Sequence, residues 1–78
     1  MISMRERIKN LMADILKVNV AMLNDDLEIG EIQEWDSMHH IMIITGMEKE
    51  FGIKFQREEL IDLENVGDII ALVEDKVA

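Results

Sequence analysis

The stretch "DSMHHIMIITGMEKEFG", residues 36–52, decides the fold. It begins with Asp36 and Ser37, residue types that are favoured at helix N-termini, and it ends at Gly52, which suits the left-handed conformation after a helix. We therefore predict a helix from Ser37 to Phe51 with Asp36 as its N-cap. The rest of the chain has to pack around this central segment.

Two further long helices are predicted, one on either side of this segment. The first runs from Ser3 to Lys17, where Ser3 and Glu6 have the spacing of a capping box. Its apolar residues recur at the spacing of one buried helical face, at Ile8, Leu11, Met12, Ile15 and Leu16. The last helix follows Asn65 as N-cap, with Asp68 in its first turn. Its expected inner stripe consists of Val66, Ile69, Ile70, Val73 and Val77.

The connecting segments complete an all-α fold. Residues 18–35 form a long loop with turn residues in its middle, and its apolar side chains are expected to tuck under the helices: Val20, Leu23, Leu27, Ile29 and Ile32. Residues 53–55 are an extended connector, and a short helix is expected from Arg57 to Ile61. The prediction is one domain, residues 1–78, a small four-helix bundle with three main helices and one short helix.

The composition limits the classes of function. Seventeen acidic against eight basic residues give a formal net charge of −9, which repels nucleic acid and anionic membranes and attracts basic protein surfaces. The chain has no cysteine, which excludes disulfides and thiolate zinc sites. It shows neither a signal pattern nor a membrane span, so we expect a cytoplasmic protein, and we expect it to be a monomer. So short a chain also argues against a self-sufficient enzyme.

The predicted second helix is apolar on two sides. One side is assigned to the core and consists of His40, Ile43, Ile44, Met47 and Phe51. The opposite side carries Met38, Ile41, Met42 and Thr45, followed by Glu48 and Lys49. Such a helix either presents an exposed apolar face that binds a partner protein or is covered by another part of the chain. The long loop folding over Met38 and Ile41 is the alternative.

Ser37 invites three interpretations. A hydrolase triad is disfavoured, because Asp36, Ser37 and His39 are almost adjacent and such triads are normally assembled from distant segments. A metal site is disfavoured too, because consecutive histidines point in different directions on a helix. The third interpretation is a helix start, either as a plain cap or as a place where the free N–H groups and the dipole stabilise a phosphate.

Asp36-Ser37-Met38 resembles the D-S-L motif of acyl carrier proteins and of the related peptidyl and aryl carrier domains. The resemblance extends over nearly the whole chain, through helix order, the segment Glu48-Lys49-Glu50-Phe51-Gly52-Ile53, and Asn65-Val66 before the last helix. It implies that the chain catalyses nothing, and that a separate phosphopantetheinyl transferase attaches 4′-phosphopantetheine from coenzyme A to Ser37. Asp36 would cap the helix and orient the serine.

Three residues depart from the pattern of carriers in fatty acid synthesis. His39 and Met42 stand where such carriers usually have acidic residues, and Trp35 replaces a small residue. Asp36-Ser37-Met38 also resembles D-alanine carriers, and the W-D-S-x-H pattern is similar to carriers beside polysaccharide and secondary-metabolite genes. The resemblance thus points to a specialised carrier of acyl or aminoacyl cargo, with fatty acid, polyketide, polysaccharide-modification and secondary-metabolite pathways open.

The resemblance also assigns surfaces. The docking residues would be Met38, Ile41, Met42, Thr45 and Glu48, with steering charges at Glu31, Glu34, Glu48 and Glu50. The acyl cleft would be lined by Ile43, Met47, Phe55, Leu60 and Leu63. Partners would be the transferase and acyl-activating and acyl-transfer enzymes with basic docking patches. The alternative function is an unmodified acidic interaction module that uses the same helix face.

Overall fold

The computed structural model describes residues 2–78, all of it helices and loops apart from one isolated bridge. Four α-helices follow one another: α1 (Met4–Leu16), α2 (Ser37–Phe51), α3 (Arg57–Ile61) and α4 (Val66–Val77). A 3₁₀ turn, Val20–Met22, lies in the loop between α1 and α2. The predicted all-α bundle of three main helices and one short helix is confirmed.

The helix ends are set by the residues that the sequence pointed to. Ser3 and Glu6 form the complete capping box of α1. Asp36 accepts a hydrogen bond from the His39 backbone at the start of α2, and Asn65 does the same for Asp68 at the start of α4. The helix α2 ends at Gly52, whose φ of 64° is readily adopted by a residue without a side chain.

The core lies between α1, α2 and α4, and residues of the long loop close one side of it. Its buried members are Ile8, Met12, Ala13, Leu16, Leu23, Trp35, Ile43, Ile44, Met47, Leu63, Val66, Ile69, Ile70 and Val73. The prediction for Val77 is wrong, because this side chain is 39% exposed. It sits one turn beyond Val73, where α4 has passed the edge of the core.

The long loop is held by the start of α4. Ile29 N–H donates to Glu64 O at 3.2 Å, and Val66 N–H donates to Leu27 O at 3.0 Å. Leu23 of this loop is buried as expected, whereas Val20 is exposed, contrary to expectation, because it opens the surface 3₁₀ turn. The chain leading to Ser37 is therefore anchored along its length.

Ion pairs reinforce the same contacts. Asp25 in the long loop pairs with Arg5 and Lys9 of α1, the second at 3.2 Å. Lys76 of α4 pairs with Glu59 of α3 at 2.8 Å. These ion pairs engage several of the few basic side chains, so the excess negative charge remains on the surface. Within residues 2–78, no helix has the length and apolar character needed to cross a membrane.

Candidate functional site

Ser37 is the first residue of α2 and its side chain is exposed. The helix begins here because Asp36 has extended backbone geometry and its carboxylate takes the His39 N–H at 2.9 Å. A helix start of this kind presents free N–H groups and the positive end of the helix dipole. An anionic group attached to the Ser37 oxygen would be stabilised at this position.

Asp36 and His39 are in direct contact. His39 Nδ1 lies 2.8 Å from Asp36 Oδ1, the same oxygen that accepts the His39 backbone N–H. The backbone bond, followed by the ring bond, lowers the pKa of Asp36. Because the carboxylate can only accept, the ring carries its proton on Nδ1. The Asp36 side chain stays 58% exposed, so it remains accessible to a visiting enzyme.

Trp35 and His40 form a second contact next to Ser37. The Trp35 side chain is fully buried, and its Nε1 donates to His40 Nδ1 at 3.2 Å. Burial lowers the pKa of the half-buried His40. Trp35 also closes the loop, because its carbonyl accepts the Gly30 N–H at 2.8 Å. Neither histidine forms a hydrogen bond with Ser37. Within residues 2–78, the side chains form no cluster that could hold a metal ion.

The predicted outer face of α2 is exposed. Met38 is 70% exposed, Ile41 66% and Met42 47%, so the alternative in which the long loop covers Met38 and Ile41 is wrong. The reason is that the loop is held instead by the start of α4. Thr45 is exposed as well.

This face continues into an open groove of about 680 Å³ between α1 and α2. Its lining residues are Leu11, Ile15, Ile41, Met42, Thr45, Gly46, Lys49 and Glu50. Leu11 and Ile15 were expected on the buried face of α1, but both are only half-buried and lie at the floor of this groove. A Cβ at Gly46 would lie 3.0 Å from Ile15 Cδ1, which is the end of a flexible side chain.

The predicted steering charges have different surroundings. Glu31 Oε1 accepts the Glu28 N–H at 2.7 Å, and Glu50 pairs with Arg7 at 3.4 Å. Glu48 is half-buried and its Oε2 accepts the Phe55 N–H at 2.9 Å, which ties α2 to the connector. Glu34 is exposed.

The predicted cleft residues lie on the inner side of α2 and around α3. Ile43 and Met47 are fully buried and Leu63 nearly so, while Phe55 and Leu60 are half-buried. A depression of about 340 Å³ beside Leu63 is lined by apolar and acidic residues, namely Leu63, Ala71, Leu72, Glu59, Asp62, Asp68 and Asp75. Ile43 and Met47 do not line it, so cargo would have to separate packed side chains to reach them.

The match to known proteins is extensive. The family described as "Phosphopantetheine attachment site" matches residues 6–73 of this chain. An acyl carrier protein of Solidesulfovibrio magneticus is 31% identical over 74 residues, which is 95% of each chain. The chain belongs to the acyl carrier protein family. Carriers of this family bear phosphopantetheine and are not themselves catalysts.

Two further known proteins are similar to this chain. Polyketide-8 synthase acyl carrier protein 2 of Streptomyces avermitilis is 29% identical over 94% of this chain and 84% of the relative. The solution structure of a holo acyl carrier protein from Geobacter metallireducens has a TM-score of 0.85 at 28% identity. That match covers 97% of this chain and 87% of the other.

Two features of this carrier were not predicted from its sequence. One is the burial of Trp35, and the other is its bond to His40. A signal was available, since Trp35 directly precedes the N-cap and His40 is the fourth residue of the helix. These are the positions at which an apolar pair often staples a helix start. The pattern was not recognised because one of the two positions is occupied by a histidine, His40, and not by an apolar residue.

Proposed function

We propose that Ser37 is the attachment point of 4′-phosphopantetheine and that this carrier shuttles thioester-bound acyl or aminoacyl cargo between biosynthetic enzymes. The observation that carries the proposal is the exposed Ser37 hydroxyl on the first turn of α2, beside the ionised Asp36. The residues fit the group, because the phosphate would meet the positive end of the helix. Bound phosphopantetheine supplies a terminal thiol that holds the cargo as a thioester.

In the loading step, the Ser37 oxygen attacks the pyrophosphate phosphorus nearest the pantetheine of coenzyme A. A new O–P bond forms, the P–O–P bond breaks, and adenosine 3′,5′-bisphosphate leaves. The serine proton goes to a base in the transferase, which also supplies magnesium. Asp36 caps the helix and presents its carboxylate next to the reacting hydroxyl.

The proposed docking surface is the exposed face of α2, formed by Met38, Ile41, Met42, Thr45 and Glu48. Methionine and isoleucine provide adaptable apolar contact, which suits a surface that meets several enzymes in turn. Residues 37–47 contain no carboxylate, so charge steering comes from outside this part of the helix, at Glu31, Glu34, Glu48 and Glu50. The partners are the transferase and acyl-activating and acyl-transfer enzymes with basic patches.

The proposed cargo site, for apolar cargo only, is the cleft lined by Ile43, Met47, Phe55, Leu60 and Leu63. Half-buried Phe55 and Leu60 would form its mouth, and the fully buried pair its floor. A polar cargo needs no such cleft. We assign the carrier to a specialised pathway in the cytoplasm, because His39 and Met42 stand where housekeeping carriers of fatty acid synthesis usually have acidic residues. The pathway is of fatty acid, polyketide, polysaccharide-modification or secondary-metabolite type.

Incubation with coenzyme A, magnesium and a broad-specificity phosphopantetheinyl transferase tests the proposal. Intact-mass analysis should show the addition of one phosphopantetheine group per chain. The absence of any addition, with an authentic carrier modified in the same reaction, would exclude the proposed function.

A further inference from the structure

The two histidines occupy the third and fourth positions of α2, and each holds one of the two residues that precede Ser37. His39 binds the Asp36 carboxylate, and His40 accepts from the Trp35 indole. The serine thus follows directly after two residues whose side chains are both fixed by the helix that it begins.

The bond between Trp35 and His40 fixes the chain on the inner side. The Trp35 indole is fully buried, so its N–H needs a partner inside the protein. His40 Nδ1 supplies the acceptor, which requires the neutral ring with its proton on Nε2. The two rings are tilted by 33° with their centroids 6.0 Å apart.

The bond between Asp36 and His39 fixes the chain on the solvent side. Oδ1 of Asp36 receives two donors from one residue, the His39 backbone at 2.9 Å and its ring at 2.8 Å. Two donors on one oxygen restrict the rotation of the Asp36 carboxylate, which directly precedes Ser37 in the chain.

We propose that His39 and His40 are positioning residues for phosphopantetheine transfer: by holding Asp36 and Trp35, they fix the direction in which Ser37 presents its hydroxyl. This inference rests on the proposed function of Ser37. The physical reason is that transfer requires the attacking oxygen in line with the phosphorus, and small misplacements slow such reactions strongly. The two histidines act through their neighbours and do not touch coenzyme A.

The test is the steady-state kinetics of modification, with one transferase at saturating coenzyme A and increasing concentrations of the intact carrier. His40→Leu removes the acceptor and Trp35→Phe removes the donor, so each should lower kcat about fivefold while KM changes less than about twofold. The double variant should lower kcat about as much as either single variant, because both changes break the same bond.

Asparagine variants test whether the hydrogen bonds of the two histidines matter, and not the size of the imidazole rings. His40→Asn keeps an acceptor near the position of Nδ1, and His39→Asn keeps a donor towards Asp36, so both should retain at least about half of the wild-type kcat. His39→Leu should lose kcat in the same way as His40→Leu. All rates are measured at a temperature at which circular dichroism shows every variant to be folded, and Trp35→Phe and the asparagine variants decide the matter if a leucine variant does not fold.

Three results would overturn the inference: unchanged kcat in the leucine and phenylalanine variants, a change confined to KM, or asparagine variants as slow as the leucine variants. In each of these cases the wild type is still modified, so the proposed function stands. If the wild type itself is not modified, the proposed function fails and the inference fails with it.

Discussion

The indole nitrogen of Trp35 donates a hydrogen bond to Nδ1 of His40, 3.2 Å away, and so joins the end of the long loop to the second turn of α2. This bond exists only while His40 is neutral, because a proton on Nδ1 would turn the acceptor into a donor. Burial lowers the pKa of His40, in agreement with a ring that is held in its neutral form.

The first prediction concerns the pH dependence of stability. The folded protein binds a proton at His40 less readily than the unfolded chain, whose histidine has a pKa near the ordinary value of 6.5. Stability from this group is therefore fully present above the unfolded value and is lost as the pH falls from there through the lower pKa of His40 in the folded protein. Urea unfolding of the wild type at pH 7.5 and 5.5 measures the change, with Trp35 fluorescence as the signal.

His40→Asn is the matched control, because it keeps an acceptor but does not titrate. Other groups respond to acid in the same way in both proteins, so the difference between the two pH profiles isolates His40. The wild type should lose more stability than the variant between pH 7.5 and 5.5. Parallel profiles would contradict the assignment.

The second prediction compares one substitution at Gly46, inside α2, and at Gly52, which directly follows α2 as its C-cap. Gly46→Ala should stabilise the protein by about 0.5–1 kcal/mol, because alanine favours the helix and the half-buried Ile15 can yield to the new methyl group. Gly52→Ala should destabilise it by about 1–2 kcal/mol, because φ there is 64°. Urea unfolding measures both, and changes of equal sign would contradict this view of the helix and its end.

The third prediction concerns the proposed docking surface on α2. Met38→Glu and Ile41→Glu should each weaken binding of a partner enzyme about tenfold or more, because they place a charge in an apolar contact. Both side chains are largely exposed, so the free energy of unfolding should change little. Surface plasmon resonance against the transferase measures the affinity.

Met22→Glu is the matched control. It replaces another exposed methionine with glutamate, but outside α2, since Met22 lies in the 3₁₀ turn. Its affinity should equal that of the wild type. Equal losses in all three variants would show a general effect of charge instead of a docking face. Binding that survives Ser37→Ala but not Ile41→Glu, in a protein that no transferase modifies, would favour the unmodified interaction module.

The fourth prediction uses two methionines of α2. Met47→Ala should destabilise the protein by about 2–5 kcal/mol, because the side chain is fully buried and its removal leaves a cavity. Met38→Ala should change stability by less than about 0.5 kcal/mol, because that side chain is in solvent. Thermal unfolding followed by circular dichroism measures both. A small effect at Met47 would contradict the close packing found at the proposed cleft.

The helices could be predicted from the sequence because their signals are local. Ser3, Asp36, Gly52 and Asn65 act within one turn of their own position, so their patterns determine helix ends without knowledge of the fold. The position of the long loop could not be predicted in this way. The bonds that hold it to the start of α4 join residues more than thirty positions apart, such as Ile29 to Glu64, and no periodic pattern encodes them.

Contacts between helices were also beyond the sequence. The half-burial of Leu11 and Ile15 depends on where α2 crosses α1, and the exposure of Val77 depends on where the core ends. The proposed attachment motif could be recognised because Asp36 and Ser37 are adjacent and start a strongly apolar helix. The two bonds made by His39 and His40 at this helix start were not predicted. Both positions commonly take part in contacts at a helix start, but histidine is an uncommon residue there.

The most direct test of the central claim is the location of the modification. The chain has two serines, both at helix starts: Ser37 is exposed on the first turn of α2, and Ser3 is occupied by its capping box with Glu6. Wild type, Ser3→Ala and Ser37→Ala are incubated with transferase, magnesium and coenzyme A and analysed by intact and tandem mass spectrometry. The account predicts one phosphopantetheine on Ser37 in the wild type and in Ser3→Ala, and none in Ser37→Ala. Full modification of Ser37→Ala would contradict it.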